Sequence, residues 1–104
     1  YAPESLTGFS TAGASMALFT TGVGNSYVSA LMPTLKLTGN PATARRVTQQ
    51  LELEASAVFT GEESLEAAAD RMVDRLLEIA SGALTWGEIL GEGDEAISRF
   101  GAVL

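Results

Sequence analysis

The chain has 104 residues, a formal net charge of −7 and neither cysteine nor histidine. That length supports one core but not two, and 46% apolar with 18% charged residues fits a folded domain rather than a disordered one. Composition alone excludes disulfides, thiolate metal sites, Ser–His–Asp triads and Cys–His pairs, because the residues that make them are missing.

The charge is uneven. Up to Thr48, Lys36, Arg45 and Arg46 stand against one acid, Glu4, whereas from Gln49 onward Arg71, Arg75 and Arg99 stand against twelve acids. The acidic half disfavours nucleic acid and anionic membrane as partners, and a small anion is better tolerated in the first half. No run of about 18 apolar residues exists to span a bilayer. The opening YAPESL lacks the basic start and apolar core of a signal peptide, and it lacks an initiator Met, so the chain is expected to be a piece of a longer protein.

Residues 2–13, APESLTGFSTAG, predict a short helix, with Pro3 in the first turn, Glu4 at the positive end and Gly13 as a left-handed stop. Residues 16–20, MALFT, form a continuous apolar run, the pattern of a strand buried on both faces of a largely parallel sheet. Residues 34–38, TLKLT, alternate instead, placing Leu35 and Leu37 on one face and Thr34, Lys36 and Thr38 on the other. Lys36, the only lysine, is expected to be exposed on an edge strand. Asn40 and Pro41 start a helix that should run to Gln49 or Gln50 and bury Ala44 and Val47. LELE at 51–54 reads as a third strand with Leu51 and Leu53 inward, followed by apolar cover from Val58 and Phe59.

Residues 64–81 form the clearest element. Ser64 caps a helix on which Leu65, Ala69, Met72, Val73, Leu76 and Ala80 recur at helical spacing, and Gly82 ends it. Arg71–Asp74 and Arg75–Glu78 are expected as ion pairs on its wet side, and its acids read as a solvated face rather than a metal site. Residues 85–90 predict a short amphipathic turn anchored by Trp86, Ile89 and Leu90. Residues 91–93 read as a flexible break, and 95–100 as a last strand or an extended arm. Glu92, Asp94 and Glu95 do not have the spacing of a calcium loop and read as surface charge. The fold class implied is α/β: a single small domain with a three- to four-stranded, at least partly parallel sheet layered with about three helices, Rossmann-like.

The candidate ligand site is the loop after the first strand: Thr20, Thr21, Gly22, Gly24, Asn25 and Ser26. A strand that runs into a loop rich in glycine and hydroxyls is where α/β proteins hold small ligands. Gly22 and Gly24 allow close backbone approach, and Thr20, Thr21, Asn25 and Ser26 can hydrogen-bond a hydroxy acid or an anion. The loop has no strong base, thiol or imidazole, so it can grip a substrate while the general acid or base comes from elsewhere. Thr-Gly-x-Gly-Asn also fits an ordinary turn, which leaves a purely structural loop as the alternative. No catalytic and no metal-ligating residue is assigned.

Several blocks in order, Thr7–Gly8, LFTTGVGNS, PTLKLTGNP and GEESLEAAADRMVDRLLEIASGALTWGEILG, resemble the carboxyl-terminal part of the altronate dehydratase/galactarate dehydratase family, to which the sulfolactate sulfo-lyase large subunit is similar. The resemblance implies a cytoplasmic sugar-acid lyase that abstracts a proton α to a carboxylate and eliminates water or sulfite, helped by a divalent metal, iron or manganese. It also implies a long amino-terminal part that holds the metal outside this chain, so that this domain closes the substrate pocket and is not active alone. The expected partners are the remainder of the enzyme chain and a sugar-acid substrate, with homo-oligomerisation open, and with neither nucleic acid nor membrane. The family pattern T-T-G-R-G-T-P is altered here: Val23 stands where the Arg belongs, and Asn25 and Ser26 replace Thr-Pro. Gly-His-x-Glu becomes Gly91-Glu92-Gly93-Asp94-Glu95, and a terminal Gly-Pro becomes Gly101-Ala102. A non-catalytic module derived from that family, binding a small anion or serving assembly, is the alternative function.

Overall fold

Side-chain caps open three of the five α-helices among the described residues. In the computed structural model, which describes residues 1–97 and 101, α1 (Ala2–Thr11) starts on a proline in its first turn and carries Glu4 at its positive end. β1 (Ala17–Thr20), β2 (Val28–Ser29) and β3 (Thr34–Thr38) follow. The Asn40 side chain accepts from the Ala42 amide to begin α2 (Pro41–Arg46), which ends sooner than expected and passes into a 3-10 turn at Thr48–Gln50. β4 (Leu53–Glu54), α3 (Ser56–Thr60), α4 (Leu65–Ala80), α5 (Trp86–Leu90) and β5 (Gly93–Asp94) complete the described order. The result is α/β, as expected, with five helices among the described residues rather than about three. The extra ones are the five-residue helices α3 and α5.

β1, β3 and β4 form a parallel sheet in the order β1-β3-β4, and β2 pairs with β5 in a separate parallel pair. The register sets Leu18 beside Leu35, Phe19 beside Lys36 and Leu37 beside Leu53. The strands take places opposite to those their patterns suggest. β1, the continuous apolar run, lies at the sheet edge with Leu18 substantially exposed, while the alternating β3 is central and almost wholly buried. The reason is chemical. The polar side of β3 does not meet water; it meets backbone carbonyls, so alternation here separates an apolar face from a hydrogen-bonding one. Lys36 is accordingly 0% exposed, a direct correction of the exposed edge lysine expected from the pattern.

α4 begins where expected, with Ser64 Oγ accepting from the Ala67 amide at 3.1 Å. Its buried line differs. Ala68 and Ile79 are the buried residues, whereas Leu65, Ala69, Val73 and Ala80 of the predicted stripe are exposed. Two arginines bond from the helix to neighbouring carbonyls: Arg71 Nη2 donates to Glu54 O at 3.1 Å and Arg75 Nη2 to Leu84 O at 3.4 Å. Arg71 pairs with Glu63 at 2.6 Å rather than with Asp74, while the Arg75–Glu78 pair forms as expected at 2.9 Å. In α5 the anchors are Thr85 and Gly87, and Ile89 and Leu90 face outward. Residues 91–93 are not a break, because Gly93 enters β5 and pairs with Val28. Of the expected strand or arm at 95–100, residues 98–100 lie outside the described residues.

Candidate functional site

Thr20 ends β1 and the other five predicted residues lie in the loop between β1 and β2, which is built by donors aimed at its carbonyls. Thr38 Oγ1 donates to Thr21 O at 2.6 Å. Asn40 Nδ2 and Thr43 Oγ1 both donate to Gly22 O, at 2.9 and 2.7 Å. Arg46 Nη2 donates to Val23 O. Lys36 Nζ donates to Asn25 O at 2.9 Å and to Ser26 O at 3.2 Å. Five loop carbonyls are therefore satisfied by side chains of β3, of α2 and of the α2 cap. Within the loop, the Gly24 amide donates to Thr21 Oγ1 at 3.0 Å and the Tyr27 amide to Asn25 Oδ1 at 2.8 Å.

Lys36 is the centre of this framework. Burial pushes its ammonium below the ordinary lysine range, and the charges of Glu92 and Glu52 pull in the other direction. Its own backbone amide donates to Glu52 Oε2, and Glu52 Oε1 accepts from the Trp86 amide at 2.8 Å. One carboxylate thus ties the central strand to the start of α5. Gly24 has φ +91°, a left-handed conformation that favours glycine, and a Cβ there would lie 3.1 Å from Val47 Cγ2.

With the carbonyls turned inward, the outward groups are donors and hydroxyls. Among the described residues no hydrogen bond uses Thr20 Oγ1, Asn25 Nδ2 or Ser26 Oγ, and Thr20, Gly22 and Ser26 are exposed. The loop is thus a preformed polar edge. Over residues 1–103 the sequence matches the family described as D-galactarate/altronate dehydratase, C-terminal. The chain belongs to that family. It is also similar to the (2R)-sulfolactate sulfo-lyase subunit beta of Chromohalobacter salexigens, with 33% identity over 81 residues that cover 78% of this chain and 21% of that protein. This chain therefore spans about a fifth of that relative's length.

In this dehydratase-family domain the structure also reassigns the acids near the end. Glu95 is not loose surface charge: its carboxylate accepts from Thr7 Oγ1 at 2.8 Å, from Ser29 Oγ, and from the Ala30 amide at 3.0 Å. The Ser29 hydroxyl above all, with Thr7 and two amides, holds this carboxyl below the usual range. Glu92 is half-buried, and its Oε2 has no hydrogen-bond partner among the described residues. A divalent metal is implied by the family, but the donors present do not fit one. The chain has no histidine or cysteine, and among the described residues no group of three acids converges as a metal site would require. No helix among the described residues is long and apolar enough to cross a membrane.

The framework residues Lys36, Thr38, Asn40, Thr43 and Arg46 were missed as site residues in the sequence reading. A signal existed. Donor side chains at 36 and 38 alternate on one strand face, and those at 40, 43 and 46 follow one helix side, all directly after a glycine loop rich in carbonyls.

Proposed function

We propose that this chain is part of a cytoplasmic hydro-lyase that removes water from a sugar acid of the altronate or galactarate kind, with the 20–26 loop forming one wall of the substrate pocket. The observation that carries the reading is the loop itself: five carbonyls tied inward leave Thr20, Asn25 and Ser26 free to hydrogen-bond a polyhydroxy acid. Membership of the dehydratase family supports the reaction class.

Elimination takes a proton from the carbon α to the carboxylate and expels hydroxide from the next carbon. No group on the loop can abstract that proton, so its role is to orient the substrate hydroxyls. The base is proposed to lie in the remainder of the enzyme, together with a divalent metal, iron or manganese, that would polarise the leaving hydroxyl. A rigid hydrogen-bonding wall contributes by orientation, which lowers the entropic part of the barrier.

The test is elimination by the intact parent enzyme. Supplied with divalent metal, it should convert galactarate or altronate to a 2-keto-3-deoxy acid. A parent that neither binds nor dehydrates any aldonate or aldarate overturns the reading. The exposed apolar flank of α3 and α4, with Phe59 and Leu65 outermost, favours a second reading as an assembly module against the remainder of the chain. A parent that needs this chain to assemble yet dehydrates no sugar acid would select it.

A further inference from the structure

Helix α4 carries two apolar lines, and the fold covers only one of them. Ala68 and Ile79, one near each end, are buried against the rest of the domain. Leu65, Ala69, Val73 and Leu77 recur at every fourth position on another side and are all exposed. At a rise of about 1.5 Å per residue, this second stripe runs for about 18 Å. Its start opens into an apolar groove of about 380 Å³, lined by Leu37 and Leu53 of the sheet, Phe59 of α3, and Leu65 and Ala69 of the stripe itself.

The charges beside the stripe have one sign. Each stripe residue is followed in sequence by an acid, Glu66, Asp70, Asp74 and Glu78, so a line of carboxylates runs beside the apolar one, about 100° around the helix. The two bases of α4, Arg71 and Arg75, come one residue later again, on the side away from the stripe, where they pair with Glu63 and Glu78. Among the described residues, Glu66, Asp70 and Asp74 are exposed and take part in no ion pair. A second copy docking by this same face brings only the same acids to the border. The match to the sulfo-lyase relative covers 21% of that protein, so proteins of this kind carry a long further polypeptide able to supply a different occupant.

We propose that the flank of α3 and α4 is the seat of one amphipathic helix of the parent polypeptide. Its apolar stripe fills the groove and covers Leu65, Ala69, Val73 and Leu77, and its border carries lysine or arginine at every third or fourth residue. That spacing follows from the acids, because residues four apart on one helix meet a line of matching pitch on another. The apolar contact supplies the burial, and the charges decide which helix docks and in which register. The assignment rests on and deepens the assembly reading above, and it is independent of whether the parent dehydrates a sugar acid.

The probes are two synthetic helices of about 18 residues that share a leucine stripe and differ only in bearing lysine or glutamate beside it. Titrated against the chain at low salt, the lysine helix should bind at least about tenfold more tightly than its glutamate twin. The ratio should shrink to about twofold or less at about 1 M salt, where screening acts within about 3 Å. Asp70→Lys together with Asp74→Lys should reverse the preference, and Leu65→Asp should weaken both helices about tenfold or more. These positions are exposed, so the thermal midpoint of each variant should move little. In the parent protein, α4 amides should exchange at least about tenfold more slowly than in the separate chain, and Leu65→Asp should remove most of that protection.

Equal binding of the two helices reduces the flank to an unselective apolar patch and rejects the assignment. Binding of neither rejects it too, as does a chain that dimerises in sedimentation until Leu65→Asp is introduced. Amides of α4 that exchange equally fast in the parent and in the separate chain also overturn it. A parent that assembles without this domain, yet protects α4 when the domain is present, rejects the assembly reading and keeps the seat. A parent with α4 protected that dehydrates no sugar acid rejects the lyase reading alone.

Discussion

The two faces of the β1-β3-β4 sheet are held to the rest of the molecule by different physics. Toward the glycine loop, β3 offers Thr34, Lys36 and Thr38, all buried, and the neighbouring segments are joined by directional bonds. Toward α3 and α4, Leu37 and Leu53 meet an apolar groove completed by Val58, Phe59, Ala68 and Met72, yet Phe59 remains 80% and Leu65 70% exposed. The first arrangement restrains the loop, because five of its carbonyls are bonded by side-chain donors. The second is non-directional and incomplete, since a large apolar side chain left in water forgoes about 1.5–3 kcal/mol of burial. The comparison associates precision with the proposed ligand wall and unfinished burial with the face that remains open to another surface.

Breaking the closely packed side should have the largest effect. Gly87 of α5 sits against Val28 of β2, and a Cβ there would lie 2.6 Å from Val28 Cγ1 and 2.8 Å from Cγ2. Gly87→Ala should therefore destabilise the chain by about 1–3 kcal/mol, read as a lower denaturation midpoint.

Lys36→Met comes next. It leaves the Asn25 and Ser26 carbonyls without their donor, at about 1–3 kcal/mol for an unsatisfied buried group, partly offset by relief of the desolvated ammonium. The expected net loss is about 1–2 kcal/mol, together with faster amide exchange at residues 25–27 and little change in α4.

A smaller effect separates charge from packing at Glu95. Its folded carboxyl titrates below the usual range, first because of the Ser29 hydroxyl, so the stability it contributes is present above the unfolded value of about 4.3. That stability is lost as pH falls through the lowered folded value. Glu95→Gln should flatten this acid limb in a pH series of unfolding midpoints, and an unchanged limb would mean that the latch to Thr7 and Ser29 carries no weight.

The smallest effect belongs to the open flank. Leu77→Ala on exposed α4 should change the stability of the chain by no more than about 0.5 kcal/mol. A loss of several kcal/mol would show that this face is packed, and the contrast between the two faces would fail.

How far these features could be read from sequence follows the same division. β3 and the start of α4 carried their own local signals, namely period-two alternation and a serine cap, and both appear at the expected positions. The environment of Lys36 was not local information. Whether a polar strand face meets water or backbone carbonyls depends on where residues 25 and 26 return in space. The stripe on α4 was misplaced for a related reason: helical periodicity does not encode which side of the helix the rest of the fold covers, and the residues covered are Ala68 and Ile79. The loop was legible as a glycine- and hydroxyl-rich segment, while the donors that shape it come from residues up to 23 positions away.

The proposed role of the loop as a substrate wall is tested most directly by kcat/KM for galactarate in the parent enzyme carrying Thr20→Val together with Ser26→Ala, which removes the two loop hydroxyls that make no hydrogen bond among the described residues. Loss of two neutral hydrogen-bonding groups predicts a fall of about tenfold or more with the thermal midpoint nearly unchanged. An unaltered kcat/KM in a folded double variant would contradict the account.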